Sequence, residues 1–259
     1  MTTLVQTIAH GQVRELRMAR PPVNAFDDAL CHALQAALRA ACDDGVDALV
    51  LSGGEKVFSA GLDVPHLLSH GSDRTALHAS WSAFLGLARA LAEAPVPVAA
   101  AITGHAPAGG CVLVLCCDWR VMARSVDPAR PYAIGLNEVQ VGLTVPAGIQ
   151  QLMRRTVGAR QAERLLVAGA MLPAEDALRI GLVDELADGA AAVIERAVAW
   201  LHELLRRPRG PMLATRAIAR AGLHAAMAPQ ALDLERFVEG WYAADTQAAL
   251  QAVAARLGK

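Results

Sequence analysis

Two glycine-bearing turns carry the residues of this chain best suited to chemistry. One is Gly104-His105-Ala106-Pro107-Ala108-Gly109-Gly110-Cys111, which follows the apolar run Val98–Ile102 and leads into Val112-Leu113-Val114-Leu115-Cys116-Cys117-Asp118. A buried strand, a glycine-rich turn and a helix in succession leave free N–H groups at the helix start, with the positive end of the helix dipole behind them. Such a turn binds a phosphate, or a carbonyl oxygen that becomes negative during reaction. Gly109 and Gly110 would equally let a helix pack close against a strand. The same pattern stands upstream: Ala48–Ser52 reads as a strand, Gly53-Gly54-Glu55-Lys56 follows, and Val57-Phe58-Ser59-Ala60-Gly61-Leu62-Asp63 leads to a short apolar segment from Val64. Two such turns aimed at one oxygen from two directions meet the requirement of an oxyanion hole. Glu138 is an acidic residue in a segment otherwise small, apolar or amide-bearing, which makes it a candidate acid–base group. Seen alone, it would read as an exposed carboxylate at a strand end.

Composition narrows the class. The 259 residues exceed the ~100–150 of a common domain, but α/β folds often spend ~250 on one. Hydrophobic residues at 54% against 19% charged provide a sizeable core. Charge or proline interrupts every apolar run well short of the ~20 residues of a membrane span. The start, Met1-Thr2-Thr3-Leu4, lacks the charged and apolar regions of a signal peptide, so a cytoplasmic location is expected. A net charge of −1 with no basic cluster among aromatics argues against nucleic acid as a partner. The five cysteines are an odd number without CxxC spacing and read as buried reduced thiols. No nearby cysteine or carboxylate completes a good ligand set with His66, His70 and His78, so no metal is expected. No serine stands at a nucleophile-type turn with a histidine and an acid, which excludes a serine hydrolase.

These turns need elements to position them. Residues 4–8 and 13–18, separated by His10-Gly11, read as a hairpin, and Asp27 or Asp28 can cap a helix carrying Leu30, Leu34, Leu38 and Ala41 on one face. A helix from 72 or 73 with Leu77, Trp81, Phe84 and Leu91 inward ends before Pro95 and Pro97. Strand character returns at 120–123. Helices are expected at 146–156, after Gly158 and from Pro173, and 181–184 reads as a last short strand. After residue 188 only helices follow. Leu232, Phe237, Trp241 and Leu250 form apolar faces there that a core closed by its own helices would not need. The two strand–turn–helix units suggest weak internal repetition, as in a spiral of stacked turns.

With these residues in place, the chain resembles the crotonase (enoyl-CoA hydratase/isomerase) superfamily over nearly its whole length. The resemblance rests on Pro22-Val23-Asn24-Ala25, Phe58 to Asp63, Gly104 to Asp118, Ile134 to Gly142 and Pro173 to Asp184, taken in this order. It implies an α/β fold, a crotonase-like spiral of repeated ββα units over 1–188, with a helical region over 189–259 that covers the core and makes trimers or hexamers. It also implies an acyl-CoA substrate whose thioester oxygen lies between the N–H groups of Ala60 and Gly109, and no cofactor beyond the CoA that arrives with the substrate. Lys56 is placed near the nucleotide, Asp63, Pro107, Val112 and Leu136 around the substrate, and the segment 65–75 along the acyl chain.

Within this superfamily the carboxylates separate the reactions. The hydratase pattern has a glutamate directly after Gly-Gly-Cys and a second at the position of Glu138. Here the first position is Val112, which can neither hold nor polarise water. A lone glutamate can still shuttle one proton between two carbons of one substrate. That is the pattern of the mitochondrial-type Δ3,Δ2-enoyl-CoA isomerases, which the chain resembles in Ala106 to Cys111 and Ile134 to Glu138. The resemblance then implies that Glu138 takes a proton from C2 of a 3-enoyl-CoA and returns it at C4. Other readings are another crotonase-type acyl-CoA reaction (hydration, decarboxylation or thioester hydrolysis), with Asp63 as a second carboxylate for hydration, and a non-catalytic oligomeric binding protein.

Overall fold

The structure, a computed structural model, describes residues 3–257. Strands β1 (Val5–His10) and β2 (Val13–Met18) form the antiparallel hairpin, with His10 opposite Val13 at its turn. Helix α1 (Asp28–Asp43) begins where the Asp27 carboxylate accepts the Leu30 N–H at 2.8 Å. It buries Leu30, Leu34, Leu38 and Ala41, the apolar face read from the sequence. β3 (Ala48–Ser52), α2 (Val64–Ser69) and α3 (Arg74–Ala92) follow, then β4 (Val98–Ile102), β5 (Ala106–Pro107) and α4 (Gly109–Leu115). Next come β6 (Trp119–Arg124), β7 (Ala133–Gly135), a single 3-10 turn (Glu138–Val141), α5 (Ala147–Val157), α6 (Ala159–Ala168), β8 (Leu172–Pro173), α7 (Ala174–Arg179) and β9 (Glu185–Asp188). The rest is helical: α8 (Gly189–Leu205), α9 (Arg209–Ala219), α10 (Ala221–Ala226), α11 (Pro229–Leu232), α12 (Leu234–Trp241) and α13 (Ala244–Leu257).

A six-stranded sheet runs in the order β1-β2-β3-β4-β6-β9, parallel throughout except for the opening hairpin. A second sheet runs β5-β7-β8. Parallel strands covered on both faces read as unbroken apolar runs, and every residue of β3 and β4 is buried. After each of β3, β4 and β6 the chain crosses to the second layer, at Val57 bridged to His105, at β5 and at β7, and then enters a helix. These three stacked turns are the α/β crotonase-type spiral.

The strand expected at 181–184 lies later, at Glu185–Asp188. Leu182 and Val183 are buried, which gives the stretch its strand-like pattern. Its backbone is instead a turn after α7, pinned where Asp184 donates its N–H to the Arg120 carbonyl and accepts from the Arg120 N–H and guanidinium, all near 2.9 Å.

Nor are the late apolar faces spare. Leu232, Phe237, Trp241 and Leu250 are all buried within the chain itself. Helix α8 lies across β3, β4, β6 and β9, burying Val193, Ala197 and Leu201, and Trp200 stacks flat on Trp119 with centroids 4.9 Å apart. The break at residue 188 therefore separates kinds of secondary structure, while the packing is continuous across it.

Candidate active site

Helix α4 starts from a reversed backbone. Ala108 adopts φ +45°, a conformation that side-chain-bearing residues rarely take, and its N–H is held by the Gly135 carbonyl at 2.8 Å. Strain of this kind persists where the surroundings over-determine it and gathers at functional sites. Gly109 follows as the first helical residue, with no acceptor for its N–H among the described residues. A Cβ on Gly109 would lie 3.1 Å from the Phe84 ring, and one on Gly61 (φ +85°) would lie 3.3 Å from the Gly109 nitrogen. A side chain at Gly61 would be strained at that φ and crowd the Gly109 turn, and one at Gly109 would press on the Phe84 ring, so glycine at these positions eases the close approach of the two turns. The convergence expected from the sequence is thus present.

The donor on the second turn differs from the one expected. The Ala60 N–H is donated to the Val23 carbonyl at 2.9 Å, so it is unavailable to an oxyanion. Gly61 donates to the Ser59 hydroxyl at 3.2 Å, and Asp63 to the Phe26 carbonyl at 2.9 Å. Leu62, between them, has an N–H with no acceptor among the described residues. Ala60, Leu62 and Gly109 all line one cavity of about 400 Å³. Gly109 and Leu62 are therefore the pair with N–H groups to offer.

Glu138 lines the same cavity. It is 8% exposed, not the open strand-end carboxylate of the isolated motif. It opens the 3-10 turn, and its Oε2 is buried with no hydrogen-bond partner among the described residues. Burial raises its pKa to about 7, against a smaller opposing pull from its own backbone N–H. A carboxyl poised near neutrality beside an apolar wall can both accept and return a proton.

Val112, on α4, is 1% exposed and forms part of that wall, and Pro107 lines the cavity too. Asp63 also reaches it, but its carboxylate pairs with Arg20 at 2.7 Å and caps α2 through the His66 N–H at 3.0 Å. Those partners hold it as a structural group. Leu136 is buried at 1% and lies outside the lining, so Val112 shares the wall with other residues. These are Trp81 and Phe84 from α3 and Phe237 and Trp241 from α12, with Trp81 edge-on to Phe237 at 4.2 Å. Of the segment 65–75, Pro65 and Leu67 reach the cavity. Lys56 is exposed on the turn before the site and does not line it. His66 and His70 stack edge to face at 4.9 Å, and His70 meets the Ser80 hydroxyl at 2.9 Å. No group of three or more metal-binding side chains gathers among the described residues.

A model of the enoyl-CoA hydratase/isomerase family matches residues 9–254. Human mitochondrial enoyl-CoA delta isomerase 1 is 34% identical over 187 residues, 71% of this chain and 59% of that protein, so the match spans less than two thirds of the relative's length. A probable enoyl-CoA hydratase, echA17 of Mycobacterium avium, is 34% identical over 205 residues, 78% of this chain and 76% of that one. The crystal structure of human mitochondrial Δ3,Δ2-enoyl-CoA isomerase superposes with a TM-score of 0.90 at 28% identity, covering 98% of both chains. By the family model that covers nearly the whole chain, and by these relatives, the chain belongs to the enoyl-CoA hydratase/isomerase (crotonase) family.

Proposed function

We propose that the chain is a Δ3,Δ2-enoyl-CoA isomerase that converts 3-enoyl-CoA to trans-2-enoyl-CoA with one glutamate. The observation that supports this reading is a cavity lined by Val112 and by Glu138, whose Oε2 is buried there with no hydrogen-bond partner among the described residues. Hydration would need a second group to hold and activate water, and Asp63, the other carboxylate at the cavity, is engaged by Arg20.

In this reading Glu138 takes the C2 proton of the bound thioester. The negative charge passes to the thioester oxygen, which accepts from the N–H groups of Gly109 and Leu62. The resulting dienolate takes the same proton back at C4, and the double bond moves into conjugation with the carbonyl. Loss of one donor from such a hole typically costs ~2.7–4 kcal/mol of transition-state stabilisation, so two backbone donors supply a large part of the acceleration. Electrons and the proton stay within one substrate, so CoA enters only as the acyl carrier. Lys56, exposed at the approach to the turn, contributes a charge for the CoA phosphates.

The reading extends to a homotrimer or hexamer. Helix α9 buries none of its residues, and Ile218 on it is 79% exposed, which supports a contact surface there. The five free cysteines suit a reducing, cytoplasmic setting. Light scattering at micromolar concentration tests the assembly, and a stable monomer would refute it.

A panel of acyl-CoAs tests the reaction. Appearance of the conjugated thioester absorbance from 3-enoyl-CoA, with little loss of that absorbance when 2-enoyl-CoA is supplied, is the expected pattern. Brisk hydration of 2-enoyl-CoA would overturn the reading of Val112 and favour a hydratase.

A further inference from the structure

Glu138 stands on one turn of 3-10 helix, too short to hold itself rigidly. The turn is closed by the Gln140 N–H to the Asn137 carbonyl at 3.0 Å, by Gly142, whose N–H faces the Glu138 and Val139 carbonyls, and by Leu143 to the Glu138 carbonyl at 3.0 Å. Contacts from two neighbouring helices grip it from outside as well. On one side Gln140 donates through Nε2 to the Gly169 carbonyl, 2.8 Å away at the end of α6. On the other side α13 lies against Gly142, the residue that closes the turn at φ +78°. A Cβ there would come within 2.9 Å of the Thr246 Cα and 3.1 Å of the Ala249 Cβ, so α13 rests directly on this backbone. At that contact the Thr246 hydroxyl, on a residue 4% exposed, donates to the Gly142 carbonyl at 2.7 Å.

We infer that Thr246 is a positioning residue for the reaction: its hydroxyl latches α13 onto the carbonyl of Gly142 and so holds the turn that aims Glu138 into the cavity. This rests on the isomerase reading for its effect on rate, but the latch itself can be tested without it. Thr246 lies 108 positions after Glu138, on a helix that also supplies Val253 to the cavity wall. The last helix is thereby part of the machinery that sets the base as well as a cover over the acyl pocket. The charged groups of the two gripping helices nearest the turn, Arg160, Glu163 and Arg164 of α6 and Asp245 of α13, are all exposed. The Cys111 thiol on α4 is held protonated by burial. The environment that Glu138 senses is therefore set mainly by how deeply the turn holds it.

The test compares Thr246→Val, Thr246→Ala and Thr246→Ser in the full chain. Thr246→Val keeps the volume and removes the donor, Thr246→Ala guards against a folding failure of the first, and Thr246→Ser restores the donor. Two quantities are read: kcat and KM for 3-enoyl-CoA, and the titration midpoint of the Glu138 carboxyl by carbon-13 NMR, assigned by the signal missing in Glu138→Gln. Thr246→Val and Thr246→Ala should lower kcat about 10- to 100-fold with KM little changed, as expected when a reacting group is misplaced. They should also move the Glu138 midpoint down by about half a unit or more as the carboxyl gains water. Thr246→Ser should recover both. Unchanged midpoints in the Val and Ala variants, or a Ser variant as impaired as Val, would overturn the inference. If the wild type isomerises no 3-enoyl-CoA, the function proposed above fails, and the titration alone then decides whether Thr246 sets the position of Glu138.

Discussion

Two buried glutamates of this chain have opposite fates. Glu15, on β2, is 0% exposed and surrounded by donors: the Ser52 hydroxyl at 2.6 Å, His10 Nε2 at 2.8 Å and Arg17 Nε at 2.8 Å. Burial alone would raise its pKa, but these three partners outweigh burial and hold it below the ordinary carboxylate range. Glu138 has no such set, so burial wins and its pKa rises to about 7. A carboxylate with its lone pairs satisfied is a fixture of the sheet. One left with a bare oxygen in an apolar cavity is a proton carrier waiting for a substrate, and its deeper desolvation together with its lack of donor side chains makes the difference.

The comparison is sharpest when each glutamate is removed. Glu138→Gln should keep the shape of the site and lower isomerisation by ~10²–10⁴-fold or more, with acyl-CoA binding retained, as read by the conjugated thioester absorbance and by equilibrium binding. Near-wild-type turnover would end the single-base account.

The same substitution has a stability signature of fixed sign. Between the ordinary carboxylate range and pH 7, folded Glu138 keeps a proton that the unfolded chain has released, so folding stability falls as pH rises through that window. Glu138→Gln should therefore stabilise the chain at pH 8 by up to about 3 kcal/mol, with the gain gone near pH 4, measured by urea unfolding at both values. Equal stability at pH 8 would mean that the carboxyl is solvated after all.

Glu15→Ala should do the reverse. It strands Ser52, His10 and Arg17 and should cost about 2–3 kcal/mol at neutral pH, less than for a wholly buried pair because His10 and Arg17 are part exposed and can rehydrate. Because its pKa is depressed in the folded chain, the stability that Glu15 contributes is lost as pH falls below the ordinary carboxylate range. The kcat of the folded variant should be unchanged, and a loss of kcat with full stability would erase the distinction between the two residues. The smallest effect belongs to Lys56→Ala, an exposed charge outside the cavity, which should raise KM for acyl-CoA a few-fold at low salt with kcat intact.

Much of the site was legible because it rests on local signals. Gly109 after a small-residue turn, Val112 one helical step on, and an isolated glutamate in an apolar stretch are all visible without a fold. Leu62 was not, because the choice among the N–H groups of residues 60 to 63 is made by distant partners, Val23 and Phe26, which take their neighbours. The cavity wall was hidden for the same reason. Trp81 and Trp241 meet at 6.3 Å from helices 160 positions apart, and no sequence period announces it. The true strand at Glu185–Asp188 was displaced to 181–184 in the reading because Leu182 and Val183 are buried by a turn rather than a ladder. Periodicity reports burial, and burial in a turn has the same pattern over four residues.

The central claim is that one carboxyl carries one proton from C2 to C4, and isotope transfer tests it most directly. A 3-enoyl-CoA fully deuterated at C2 is converted in ordinary water, and the trans-2-enoyl product is examined by NMR and mass spectrometry. Glu138, buried at 8% exposure, should return a substantial share of the abstracted deuterium to C4 before water replaces it, and Glu138→Gln should form product at least ~10²-fold more slowly. A product with C4 protonated wholly from solvent, formed at an undiminished rate by Glu138→Gln, would contradict the account.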